Sequence, residues 1–259
     1  MSVTQTRLLA IVRIAVGALF LLRTTPLAIL VPPYARFPFL GWPETGWKMS
    51  ALGPTLPAWV CIALCLVRTI AALLFTIGFR ARAAGMTTAV TGYALLVNDA
   101  MAYTNTLHLI HAAVLILALT DSSVAFAVSP APAVSPTSSV WLVRALPISV
   151  YVFSGFAKLN AQWLSGKTLA SLVDQSIVST PLPAMIVRHA RTASIGMAAF
   201  ELALPVLLLV PISRRVALWL AAAFHLSLQL TVHPDIFGMM MIVLLIAFVE
   251  PQTRHEPGR

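Results

Sequence analysis

Eight long apolar runs, separated by polar or proline-containing segments, constrain the fold of this chain more than any other feature. Roughly 20 apolar residues make a helix long enough to cross the hydrocarbon core of a bilayer. Because lipid offers no partner to backbone N–H and C=O groups, such runs fold as helices. Charged residues are only 10% of the chain, whereas soluble domains carry roughly a quarter. We therefore predict an all-α, polytopic membrane bundle of about eight transmembrane helices, at residues 8–31, 58–78, 83–97, 106–119, 140–157, 193–211, 216–232 and 236–248.

The connecting segments indicate how the helices are grouped within a single membrane domain that covers the whole chain. Residues 125–139 are rich in proline and serine, which is typical of a flexible linker between helices 1–4 (1–124) and helices 5–8 (140–259). Residues 32–57 hold prolines and aromatic side chains that suit the membrane–water interface, but are too broken for a spanning helix. Residues 161–191 mix charged and apolar positions, which favours an interfacial helix or a re-entrant segment.

The net charge of +9 comes from basic residues that stand mostly between or beside the apolar runs. In a membrane protein this pattern reports orientation and contact with anionic lipid, so the bilayer is an expected partner and nucleic acid is not. The positive-inside rule predicts a multi-pass protein of the cell membrane with a cytoplasmic N-terminus. In that orientation Asn105, His108 and Lys158 lie near the outer face, and Glu201 and His225 lie deeper.

A lysine stands at the end of the fifth apolar run, in the segment VYVFSGFAKLNAQWLSG (150–166). Five residues recur at helical spacing, so we predict that they share one face of the helix: Tyr151, Ser154, Lys158, Gln162 and Ser165. In one interpretation the Lys158 ammonium snorkels to the headgroups and does no chemistry. In the other, Lys158 faces the bundle interior, where burial favours the neutral amine and the side chain acts as a base.

Charged and polar residues also occur at the depth of the bilayer centre, where lipid would reject them. Arg68 lies near the middle of the second run. Glu201 and His225 lie 12 residues before and after Ser213, in the predicted turn of a helical hairpin, so they should share a depth. Gln229 follows His225 by one turn on the same face. We predict an ion pair or shared polar network between Arg68 and Glu201, because a lone charge at this depth is costly.

The fourth run opens with Asn105, His108 and His111 on adjoining faces of its first turns. A His-x-x-His pair supplies two ligands, which are too few for a metal site. We therefore expect no metal here and interpret the histidines as core or pore-lining side chains. A single cavity in the outer half of the membrane is predicted to hold Asn105 together with Lys158 and His225.

Three segments carry a resemblance to a known family. The segment GFAKLNAQWLSGKTL around Lys158 resembles the membrane domain of vitamin K-dependent gamma-carboxylases and their bacterial relatives, the HTTM family. The segment FELALPVLLLVPISRRVALWLAAAFH, from Glu201 to His225, and the shorter YTNTLH with Asp121 after it, are similar to the same family. The resemblance covers most of the chain, from residue 8 to 251.

The resemblance implies an activity. In that family the lysine matching Lys158 is the base that deprotonates reduced vitamin K, the oxygenated quinone then abstracts a glutamyl proton, and CO2 adds. The position matching His225 belongs to the same membrane site. Two departures argue against glutamate carboxylation itself: the large luminal domain of the carboxylases is missing, and Thr106 follows Asn105 where they are expected to have a histidine. In size the chain is closer to small bacterial members needed to mature secreted peptides, which resemble the sporulation-delaying protein B group.

Three functions remain open. The first is an intramembrane enzyme that uses a reduced, vitamin K-type quinone and acts on a lipid-proximal or peptide substrate, and this is the function we expect. The second is a non-catalytic membrane partner for the maturation or export of a secreted peptide. The third is a transporter, which lacks the support of a broken-helix repeat. For the enzyme we expect Lys158 and His225 to be catalytic. The residues expected to bind substrate or cofactor are Asn105, His108, Glu201, Arg68, Tyr151 and Gln229.

Overall fold

The computed structural model describes residues 3–24, 56–98, 104–132, 136–174, 182–231 and 236–249. Within these ranges the regular secondary structure is helical and contains no strand. The helices are α1 (Val3–Thr24), α2 (Ala58–Ile77), α3 (Ala81–Asn98), α4 (Asn105–Ala118), α5 (Pro136–Ala157), α6 (Ala161–Leu164), α7 (Lys167–Asp174), α8 (Leu182–Arg188), α9 (Ala190–Leu209), α10 (Pro211–Thr231) and α11 (Ile236–Leu245), followed by a 3-10 turn, Ile246–Phe248.

The predicted class, an all-α membrane bundle, is confirmed. Each of the eight predicted runs overlaps one of the long or apolar helices, and residues 25–31 of the first run lie outside the described residues. Among the described residues, four segments are long and apolar enough to cross a membrane: Gln5–Thr24, Trp59–Ile77, Thr137–Ala157 and Ala190–Leu209. Two shorter apolar helices cover Asn105–Ala118 and Ile236–Phe248. The number of spans stays a prediction, as does the segment 32–57, which lies almost wholly outside the described residues.

The chain divides into two compact units, Met1–Val143 and Arg144–Arg259, with the boundary inside α5. In the first unit α2 packs against α1 and α3, and α4 packs against α1 and α3. In the second unit α10 packs between α9 and α11, and the short helices α6 and α7 pack against α9. The short helices occupy the region predicted to be interfacial or re-entrant. Helix α5 begins at Pro136, within the segment predicted as a linker, and residues 127–132 before it are not helical.

Buried arginines in the first unit bind backbone carbonyl groups at or beyond helix ends. The Arg13 guanidinium donates to the carbonyl oxygens of Ser122 (2.5 Å) and Phe126, which follow the end of α4. Arg68 donates to the carbonyl oxygen of Thr24, the last residue of α1, at 3.1 Å. The last carbonyl groups of a helix have no partner within the helix, and lipid supplies none. These arginines therefore satisfy backbone acceptors that the bilayer would leave unpaired.

In the second unit, too, buried arginines donate to backbone carbonyl groups at helix ends. Arg144 donates to the carbonyl oxygen of Ala247 at 2.8 Å, in the turn that ends the last helix. Arg214 donates to the carbonyl oxygens of Leu208 (2.9 Å) and Leu209 (3.1 Å) at the end of α9. Both guanidinium groups are buried. Cationic side chains at helix C-termini also interact favourably with the helix dipole.

The turn between α9 and α10 lies earlier than the sequence predicts. We expected the chain to reverse at Ser213 to Arg215, but α10 already begins at Pro211, so those residues lie in its first turn. The reversal is at Val210, whose backbone is extended (φ −78°, ψ 120°). A residue before proline is driven out of the helical region, and proline itself is favoured at the first position of a helix.

Candidate functional site

An ion pair joins the end of α5 to the middle of α9. The Nζ atom of Lys158 lies 2.6 Å from Oε2 of Glu201. The ammonium also donates to the Ser154 hydroxyl at 2.6 Å and lies 5.0 Å from the centre of the Trp163 ring. The side chains of Lys158 and Glu201 are only 14% and 6% exposed. This is a lysine enclosed by protein groups, as the interior interpretation predicts, and not one extended toward headgroups.

Helix α5 has two distinct faces: a polar one, which carries the ion pair, and an exposed apolar one. Phe153 and Phe156 are 73% and 61% exposed, whereas Tyr151 on the other side is fully buried. The predicted stripe of Tyr151, Ser154 and Lys158 is therefore confirmed on the inner face. Its extension to Gln162 is wrong, because α5 ends at Ala157 and Gln162 is exposed on a separate short helix.

The segment after Lys158 has a structural reason for each of its conspicuous residues. The Asn160 side chain accepts a hydrogen bond from the Trp163 backbone N–H at 2.9 Å and so caps α6. The Trp163 indole N–H donates to the carbonyl oxygen of Ser194 on α9 at 3.0 Å. Gly166 has a positive φ of 84°, and a Cβ there would lie 2.5 Å from the backbone nitrogen of Arg191. The segment thus holds the indole ring beside the ammonium.

A second pair lies on the same face of α5. The Tyr151 hydroxyl and Nε2 of His225, on α10, are 2.8 Å apart and share a hydrogen bond. Both side chains are buried, with the rings of Phe224 and Phe237 5.3 and 6.4 Å from the imidazole. Among the described residues, Nδ1 of His225 has no hydrogen-bond partner. An imidazole nitrogen buried beside aromatic rings is costly to leave unpaired, which makes this atom a candidate ligand contact.

The two pairs belong to one assembly. Glu201 lies within electrostatic reach of the Tyr151 hydroxyl, and Tyr151 and Lys158 share a face of α5. The rings of Phe200 and Phe224, which precede Glu201 and His225, are 5.1 Å apart, so α9 and α10 pack together beside these residues. The common depth predicted from a turn at Ser213 stays a prediction, because the turn is at Val210. We call the five residues that form this assembly the polar cluster: Tyr151, Ser154, Lys158, Glu201 and His225.

Gln229 lies one turn beyond His225 on α10 and faces α11. A Cβ added to Gly238 would lie 2.5 Å from Nε2 of Gln229, so the glycine makes room for this amide. Gln229 is therefore next to the polar cluster in the direction of the α10 axis.

The remaining predicted site residues belong to the first unit. His108 and Asn105 are exposed at the start of α4, and Nδ1 of His108 lies 3.4 Å from the Tyr93 hydroxyl. Arg68, on α2, is buried and donates to the last residue of α1. The cavity predicted to join Asn105 to Lys158, and the pair predicted between Arg68 and Glu201, each involve both units and stay predictions.

The sequence matches the HTTM domain over residues 2–252, nearly its whole length. The chain belongs to the HTTM family. Searches of curated proteins and of solved structures each gave no match. In this HTTM protein, Trp163, from the segment around Lys158 that carries the resemblance (155–169), lies against the ammonium.

Sequence reasoning missed how Trp163 and Ser194 contribute to this HTTM site. Trp163 lies beyond the end of α5, so helical spacing from Lys158 gave no signal for it. The motif around the lysine was the available signal, since it includes both Asn160 and Trp163. Ser194 contributes through its backbone carbonyl, which side-chain chemistry does not reveal.

Proposed function

We propose that this HTTM protein is a quinone-linked membrane enzyme in which Lys158 removes a proton from a substrate hydroxyl. The observation that carries the proposal is the buried ion pair of Lys158 with Glu201, 2.6 Å long, beside the hydrogen-bonded Tyr151 and His225. Buried ion pairs are costly to assemble, and ionisable residues within membrane helices mark functional sites by default. Membership of the HTTM family supports the same site.

The residues of the polar cluster fit a reduced, vitamin K-type quinone. Such a molecule is a flat apolar ring system with two hydroxyl groups, and when bound it would supply the electrons for reaction with oxygen. Nδ1 of His225 is a buried polar atom with no partner among the described residues, and Phe224 and Phe237 provide aromatic surface next to it. His225 would therefore orient one hydroxyl group, while Lys158 meets the other.

Each residue of the polar cluster has a distinct role in this proposal. Lys158 is the base, since its amine can both accept and return a proton, which a guanidinium cannot. The hydroxyl group of Ser154, one helical turn before Lys158, binds the lysine nitrogen, and the Trp163 ring packs against another side of it. Tyr151 fixes the imidazole of His225 through their 2.8 Å hydrogen bond. The enclosing side chains keep bulk water from the transferred proton.

Binding of a quinone tests the proposal directly. The protein is purified in lipid nanodiscs, co-purified lipids are extracted, and quinones are identified by mass spectrometry. Reduced menadione is then titrated anaerobically into the wild type and into Lys158→Arg, which keeps a cation beside Glu201. We expect saturable binding to both, at one site. Binding that is neither saturable nor displaced by the co-purified quinone would exclude quinone chemistry and leave the non-catalytic peptide partner as the function.

A further inference from the structure

We propose that Glu201 stores the proton that Lys158 takes from its substrate, so that the pair, and not the lysine alone, is the base. The inference rests on the proposed function in one respect, namely that Lys158 meets the substrate hydroxyl. It assigns Glu201 a role beyond contact with substrate or cofactor. The role follows from the charges and distances of the polar cluster.

The ionised pair leaves Lys158 without a lone pair. Its ammonium lies 2.6 Å from Oε2 of Glu201, a distance typical of a strong charge-assisted hydrogen bond. To become a base, Nζ must first release a proton to a neighbouring atom. Its other described partners are the Ser154 hydroxyl and carbonyl oxygens, at 2.6 and 3.4 Å. Both are neutral and weakly basic, so the carboxylate of Glu201 is the acceptor that the geometry provides.

The transfer can be written with its bonds and charges balanced. A proton passes from Nζ of Lys158 to Oε2 of Glu201, which leaves a neutral amine and a neutral carboxylic acid. The amine lone pair then forms a bond to the substrate hydroxyl proton, and the O–H bonding electrons stay on the substrate oxygen. In total, one proton has moved from substrate to Glu201, while Lys158 is again an ammonium ion and now lies beside the new negative charge.

The advantage of this route is that the net charge of the site is zero throughout. At the start the ammonium balances the carboxylate, and at the end the same ammonium balances the substrate oxygen. An unbalanced charge in a site as enclosed as this one is strongly disfavoured. Glu201 is 6% exposed, and the Tyr151 hydroxyl, which lies within its electrostatic reach, is hydrogen-bonded to His225. Without the carboxylate, the Lys158 ammonium would have to release its proton to water, and this enclosure restricts water.

Infrared difference spectroscopy on the full-length protein in nanodiscs tests the inference, with 4-nitrophenol as a chromogenic hydroxyl probe. Its visible spectrum reports whether the bound probe is ionised, and the infrared spectrum reports whether a carboxylate has become a carboxylic acid. We expect ionised probe and a new carboxylic acid C=O band in equal amounts, with the band shifted by carbon-13 labelling of glutamate. Ionised probe without any such band would overturn the inference.

Variants separate this role from a merely structural one. Glu201→Gln should still bind the probe but give no new carboxylic acid band, and turnover of reduced menadione should fall by about 100-fold or more, the scale of general acid–base catalysis. Glu201→Asp, which keeps a carboxylate, should recover part of both the band and the turnover. The reversed pair, Lys158→Glu with Glu201→Lys, should be more thermally stable than either single variant without recovering turnover. A carboxylic acid band that persists in Glu201→Gln would refute the inference while leaving the proposed function intact, whereas unchanged turnover in Lys158→Arg would refute the proposed function itself.

Discussion

The ion pair of Lys158 and Glu201 makes a quantitative prediction about stability. Replacing Glu201 by glutamine removes the negative charge but keeps the shape, and so leaves the ammonium enclosed without its counter-ion. Removing one partner of a buried pair typically costs about 3–5 kcal/mol, whereas exposed pairs contribute about 0–1 kcal/mol. With side chains 14% and 6% exposed, this pair belongs close to the buried class. We expect a loss of about 3 kcal/mol for Glu201→Gln.

A double-mutant cycle separates the pair from its surroundings. Lys158→Met, Glu201→Gln and the double variant are unfolded in one detergent at one protein concentration. Since the double variant leaves no isolated charge, it should be more stable than Glu201→Gln alone, with a coupling energy of about 1–3 kcal/mol. Lys167→Met, at an exposed lysine on α7, is the matched control and should change the free energy of unfolding little. Additive costs for the two single variants would show that the charges do not interact.

Three further predictions concern the neighbourhood of the pair and the orientation of the chain. Gly166→Ala should destabilise the protein by more than about 1 kcal/mol, because its φ is 84° and the new Cβ would lie 2.5 Å from the Arg191 nitrogen; thermal unfolding measures this, and an unchanged midpoint would contradict it. Tyr151→Phe should cost about 1–3 kcal/mol by removing the described hydrogen-bond partner of the buried His225 imidazole; the same unfolding assay measures this, and an unchanged free energy of unfolding would contradict it. A membrane-impermeant thiol reagent should fail to label a cysteine placed at the N-terminus in intact cells, and labelling there would reverse the predicted orientation.

The helices could be predicted because their signal is local. Apolar length sets the existence of a membrane helix, and each predicted run overlaps a helix in the structure. The exact turn between α9 and α10 was misplaced because the arginines after it were taken as loop residues. Pro211 was the better signal, since it extends Val210 and begins the next helix.

The partners of the buried charges could not be predicted from depth alone. Sequence position gives the height of Arg68 and Glu201 in the membrane, but not the direction in which each side chain points. The structure gives Glu201 a lysine at the end of α5 as its ion-pair partner, and it gives Arg68 a backbone acceptor at the end of α1. Reasoning that counted only charged side chains left out backbone carbonyl groups. Three buried arginines bind such groups at helix ends, and Arg13 binds them in the segment after α4.

The residues of the site that follow one another along a single helix could be predicted from the sequence. Helical spacing placed Tyr151 and Ser154 on the face of Lys158, and the structure confirms that face. The contact of Tyr151 with His225 joins two helices 74 residues apart in sequence, so only packing reveals it. The same holds for Trp163, which reaches the ammonium after the chain has left α5.

The central claim is that Lys158 acts as a base in a membrane site that uses a reduced quinone. Turnover of reduced menadione in nanodiscs, measured for the wild type, Lys158→Arg and the exposed-site control Lys167→Arg, tests it most directly. Arginine keeps the ion pair with Glu201 but cannot release its proton, so we expect Lys158→Arg to bind the quinone and to lose about 100-fold or more in rate, with Lys167→Arg unchanged. Equal rates for all three proteins would contradict the claim.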